Sequence, residues 1–104
     1  MIRHCVFVRY RADFDRPARQ QILADLARLT MHLRGMRRVE GGPNVSPEGL
    51  GKGFDDGFIV DFDDAAARDA YLVHPEHRAI GARIVAAAEG GADGIFVFDM
   101  EMPG

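Results

Sequence analysis

Three segments of this chain, 2–10, 54–62 and 94–102, carry large apolar side chains in both phases of a two-residue alternation. Phe7 stands against Val6 and Val8, Ile59 against Phe58 and Val60, and Ile95 and Val97 against Phe96 and Phe98. Successive side chains of a strand point to opposite faces of its sheet. A sheet with one wet face alternates apolar with polar residues, whereas this pattern belongs to strands covered on both sides. The remaining segments supply helices for one face and nothing for the other. A second copy, packed sheet on sheet, is therefore the expected cover, which makes a homodimer.

The order of elements follows from periodicity. Ile2 to Tyr10 reads as a strand with His4, Val6, Val8 and Tyr10 on one face and Cys5, Phe7 and Arg9 on the other. Ile22, Leu23, Leu26, Leu29 and Leu33 recur at spacings of three and four, an amphipathic helix with Arg19, Asp25, Arg28 and Arg34 expected toward water. Asp13 and Asp15 offer capping carboxylates, Pro17 suits the first turn and Gly35 the stop. Met36 to Val45 is a weaker strand around Gly41-Gly42-Pro43, and Ser46 to Gly53 a surface loop. Phe54 to Phe62 is the clearest strand. Asp63-Asp64 caps a helix from Ala65 to about Val73, which Pro75 interrupts and restarts, with Ile80, Ile84 and Val85 on one side. Gly90-Gly91 ends that stretch, and Gly94 to Met102 is the last strand. The result is a β-α-β-β-α-β plan: an α+β protein with both helical regions on one face of an antiparallel sheet.

At 104 residues the chain fits one domain, 1–104. A net charge of −3 leaves no basic surface to displace counterions from phosphates, which argues against nucleic acid as a partner. One cysteine, Cys5, fits a reducing compartment. Met1-Ile2-Arg3-His4 runs straight into a strand and no apolar stretch nears the ~20 residues of a membrane span. A cytoplasmic location away from membranes is expected.

Four segments carry a resemblance. Arg3-His4-Cys5-Val6-Phe7, Glu40-Gly41-Gly42-Pro43-Asn44-Val45-Ser46, the Tyr71-x-x-His74-Pro75-x-His77 run and Asp99 together resemble the stress-responsive dimeric α/β-barrel (Dabb) domain family, in order and over essentially the whole chain. The resemblance implies a ferredoxin-like protomer whose sheet pairs with its twin's in a dimeric α/β barrel. It implies less about function, since the family holds stress-induced proteins beside a few cofactor-independent enzymes. One is a plant polyketide cyclase that forms olivetolic acid. Its two catalytic histidines fall at His4 and His77, and the tyrosine of the signature at Tyr71. Leu26 stands where that enzyme has a tyrosine lining its pocket.

An imidazole titrates near neutrality, so His77 can take a proton from an acidic carbon and return it to an oxygen. His4 can orient it or polarise a carbonyl, and Tyr71 can donate to a developing enolate. The plainer role for both histidines is to tie a helix to a strand. Leu26, Val6, Asn44 and His74 are candidate ligand contacts, although the simpler role for Asn44 is to hold its own turn and for His74 to cap a helix end. No metal site is expected, because Pro75 spoils the His74–His77 spacing and no third ligand lies near. Two functions follow. One is a small apolar, aromatic or polyketide-like ligand in a histidine-lined pocket, with cofactor-free acid–base chemistry of a cyclase or lyase kind. The other is a non-catalytic stress or assembly protein whose histidines only brace the fold.

Overall fold

The computed structural model describes residues 1–104. The elements are β1 (Ile2–Val8), α1 (Arg16–Arg28), β2 (Met36–Pro43), β3 (Asp56–Phe62), α2 (Ala65–Val73), α3 (Pro75–Ala87) and β4 (Ile95–Glu101), with single 3₁₀ turns at Leu29–Met31 and Gly91–Gly94. The strands form one antiparallel sheet in the order β2-β3-β1-β4. This is the ferredoxin-like α+β fold, with the three helices on one face.

Local signals start each helix. The Asp15 carboxylate accepts from the Ala18 amide at 3.0 Å and Pro17 follows in the first turn of α1. Asp64 accepts from the Ala67 amide at 2.9 Å and caps α2. Its neighbour Asp63 instead receives Arg37, so only one of the two expected caps is used. Pro75 begins α3, and it holds His74 extended at φ −68° and ψ 132°. Gly35 ends the first helical region at φ +83°, a conformation that costs a β-carbon dearly, and an added Cβ would come within 2.7 Å of Ala67 Cβ.

Several expected boundaries move inward. β1 stops at Val8, and Tyr10 makes only an isolated bridge to Ala88. β3 begins at Asp56, leaving Phe54 to fold onto the open sheet face, 6.2 Å from Phe96. β2 runs through Gly41-Gly42-Pro43 in regular register, its one irregularity being at Met36–Arg38. Gly41 is needed there, since a Cβ would meet the Gly57 carbonyl oxygen at 2.5 Å. Two side chains expected in water are not. Asp25 is buried on α1, where Gln21, Arg28 and Arg83 of α3 satisfy it. Arg19 reaches Asp56 at 2.8 Å beside Arg16. A buried carboxylate needs such partners, and these two tie α1 to α3 and to β3.

The two phases of the sheet have different fates. Val6, Val8, Val60 and Phe62 meet Ile22, Leu26, Tyr71 and Ile84 in the core beneath the helices. The opposite face is bare. Phe96 and Phe98 are 50% and 52% exposed, with Phe7 and Met100 beside them. Toward β2 that face turns ionic: Arg3 donates to both oxygens of buried Asp61, at 2.9 and 3.1 Å, and Arg38 donates to Asp61 at 2.9 Å. No helix is long and apolar enough to cross a membrane.

Candidate functional site

His4 lies on the helix-facing phase of β1, between Val60 of β3 and Asp99 of β4. Its Nδ1 is 2.6 Å from the Asp99 carboxylate, and Arg68 of α2 donates to the other oxygen of that carboxylate at 2.8 Å. Burial acts to raise the Asp99 pKa, but the hydrogen bonds from Arg68 and His4 outweigh it and hold the group below the ordinary carboxylate value. An acceptor at Nδ1 fixes a proton on that nitrogen and leaves Nε2, which has no protein partner, as the chemically available one.

The break at His74-Pro75 places the second histidine. The last carbonyls of a helix lack partners within it, and His77, in the first turn of α3, turns its Nδ1 back to the Leu72 carbonyl oxygen of α2 at 3.3 Å. The Tyr71 ring lies between the two histidines, with centroids 4.1 Å from His77 and 5.9 Å from His4, and it packs on Phe62 at 5.1 Å. Burial pushes the Tyr71 phenol upward, so it is a protonated donor at physiological pH, and its hydroxyl makes no hydrogen bond within the protein. Burial pulls His77 below its ordinary value of 6.5, only partly offset by the Leu72 carbonyl, and His4 pushes the same way as burial. The imidazole is therefore neutral at pH 7, with Nε2 unshared.

These three side chains border one cavity of about 290 Å³ between the sheet and the helices. Val6 and Leu26 line it, and nine of its twelve lining residues are hydrophobic. Gly81 lines it too. A Cβ there would meet nothing within 4 Å, so the glycine keeps space open. Glycine inside a helix costs roughly 0.5–1 kcal/mol relative to alanine.

The structure thus brings together His4, Tyr71, His77, Val6 and Leu26, and leaves two candidates outside. His74 caps α3, its Nδ1 accepting from the Glu76 amide at 3.1 Å. Asn44 accepts from the Ser46 amide at 2.8 Å and borders a different hollow, about 470 Å³ on the open sheet face against Phe7, Phe54 and Phe96. Arg68 escaped sequence reasoning altogether. Its spacing, three residues before Tyr71 on the same helix face, was the available signal. No group of three or more histidine, cysteine, aspartate or glutamate side chains is placed to hold a metal ion.

Fold and cavity define a ferredoxin-like α+β protein with a histidine-bordered pocket on the helix side of its sheet. Residues 2–102 match the Stress responsive A/B Barrel Domain (Dabb) family, and the chain belongs to it. A dimeric ferredoxin-like protein of unknown function from Jannaschia sp. CCS1 is 35% identical at a TM-score of 0.89, the match covering 97% of this chain and 98% of that one. A Dabb family protein from Mesorhizobium loti is 26% identical at 0.72, covering 99% and 97%. The hydroxynitrile lyase of Passiflora edulis shares the fold at 23% identity and 0.82, covering 98% and 93%. No curated protein matches the chain.

The His77 environment has a pH consequence. Its folded-state pKa lies below the unfolded value, so the unfolded chain binds more protons in the interval between them. Stability then falls as pH drops from about 6.5 through the folded-state pKa. Asp99 acts lower, its contribution being lost as pH falls from about 3.8. Urea denaturation at pH 7.5 and 5.5 should show a larger loss for the wild type than for His77→Gln. Equal losses would contradict this account of the ring.

Proposed function

We propose that the cavity beneath α3 binds a small, mostly apolar carbonyl compound and moves a proton at the carbon beside the carbonyl, without an organic cofactor. The carrying observation is that three polar groups without protein partners, His4 Nε2, His77 Nε2 and the Tyr71 hydroxyl, belong to side chains bordering one otherwise apolar space. Small-molecule sites have this composition, and their volumes run from ~300 to 1,000 Å³. This one suits a single substituted ring or a short chain. His77, neutral and half-buried, is the base. Tyr71 donates to the oxygen on which charge develops. His4, held by Asp99 and Arg68, takes up or returns the second proton. The name of the Passiflora edulis neighbour adds a lyase to what this fold can host, and fold likeness alone does not carry the substrate across.

The glycine in α3 supports a ligand over a purely structural role. A fold braced by its histidines gains nothing from an open cavity kept by a residue that weakens its helix. Gly81→Leu should therefore keep the fold, with its chain in the cavity. In a thermal-shift screen of small aldehydes, ketones and amides, ligands should raise the melting temperature of the wild type and not of Gly81→Leu or His77→Gln. If no compound shifts the wild type and His77→Gln merely lowers its stability, the histidines are braces and the protein is a non-catalytic stress or assembly protein.

The bare sheet face supports self-association through it. Phe7, Phe96, Phe98 and Met100 form an apolar surface, and the Jannaschia, Thermobifida fusca and Bacteroides fragilis neighbours are each dimeric ferredoxin-like proteins. Light scattering at micromolar concentration should give a dimer for the wild type and a monomer for Phe96→Glu/Phe98→Glu. A monomeric wild type would refute the homodimer.

A further inference from the structure

The charge balance around the cavity restricts the ligand further than its size and apolar lining do. No lysine, arginine, aspartate or glutamate lines the space. One group of charges stands directly behind the lining, at His4. There one guanidinium, Arg68, is shared between two carboxylates, Asp99 at 2.8 Å and Asp69 at 2.8 Å. Asp69 is two-thirds exposed, so water screens it, and the Arg68 and Asp99 charges cancel while His4 is neutral. In that state no positive charge is left over for a bound anion, and on a protonated His4 the added charge faces Asp99 at 2.6 Å. His77 supplies none at neutral pH. Arg78 follows it in α3 and its charge is felt at the His77 ring, but the side chain is exposed to water and does not line the cavity. An anion entering the cavity would lose its hydration and find no counter-charge in the lining, whereas a neutral carbonyl loses little and finds the Tyr71 hydroxyl as a donor.

We infer that this site selects uncharged ligands, an aldehyde, ketone, ester or amide carbonyl on an apolar body, and excludes the carboxylate of the same shape. The inference rests on the proposed binding role of the cavity and adds the charge class of its substrate. It also states a direction for the chemistry. Enolate or alkoxide character arises only transiently, against Tyr71 and a freshly protonated His77, so the stabilising charge is made by the reaction itself and is absent beforehand.

The test uses matched pairs of nearly equal shape: benzamide with benzoate, phenylacetamide with phenylacetate, cinnamamide with cinnamate. Each is titrated at pH 7.5 into the wild-type protein and into Asp99→Asn, with the resonances of His4, Tyr71 and His77 followed by NMR. The amides should move those resonances and saturate, with the carboxylates binding at least tenfold more weakly. Asp99→Asn should narrow that gap, because it removes a negative charge from behind His4. If that variant does not fold, the wild-type comparison decides alone. Carboxylates that move the same resonances with equal or higher affinity would overturn the charge selection and leave the cavity a binding site. Failure of every pair to move any of the three would overturn the binding role, and the selection with it.

Discussion

A sheet with apolar residues in both phases has two faces to keep from water, and this chain carries helices for one. The rest of the structure depends on that imbalance. Where helices cover the sheet, Val6, Val8, Val60 and Phe62 are buried beneath Ile22, Leu26 and Tyr71. The covering is incomplete at β4, an edge strand, where Val97 of the helix-facing phase is still 54% exposed. The gap left between β4 and α3 is the cavity. The other face keeps its phenylalanines exposed, and burial of apolar area at ~25 cal/mol per Å² is the driving force available for a partner there.

The functional side chains come from one sharp break in the helical layer. Proline cannot follow a helical residue freely, so His74 leaves the helical region and α3 sets off in a new direction. That turn exposes the Leu72 carbonyl to His77 and stacks its ring beside Tyr71. On the sheet side, Asp99 sits directly across the strand pair from His4, so the ring is held by the register of β1 and β4. Each imidazole thus spends Nδ1 on a structural partner and keeps Nε2 in reserve. The hydrogen bonds that brace the fold also set the proton position that acid–base chemistry needs.

Much of this was legible in the sequence. Period-two and period-three-to-four patterns gave the element order and the strand face that His4, Val6 and Val8 share. Proline and aspartate placed the helix starts to within a residue or two. The Tyr-x-x-His-Pro-x-His run pointed to two of the three polar groups in the cavity. What was not legible depends on contacts between elements far apart in sequence. Asp25 and Arg19 read as solvent-facing on helical periodicity, yet partners on α3 and β3 draw them into buried ion pairs. Arg68 reads as an ordinary surface charge until β4 brings Asp99 alongside it. His74 and Asn44 sit inside the telling segments as candidate ligand contacts, and the helix-end and turn roles also read from the sequence are the ones they fill, each accepting from a nearby amide. Gly81 carries no signal at all, since a helix-interior glycine is ambiguous until the space above it is seen.

The proton positions on the two imidazoles are the centre of the account, and long-range nitrogen–proton NMR of histidine-labelled protein reads them directly. At pH 7.5 the account requires His77 neutral with its proton on Nδ1, and His4 with a proton on Nδ1 toward Asp99. His77 found doubly protonated, or neutral with the proton on Nε2, would remove the lone pair from the cavity and contradict the acid–base reading at its root.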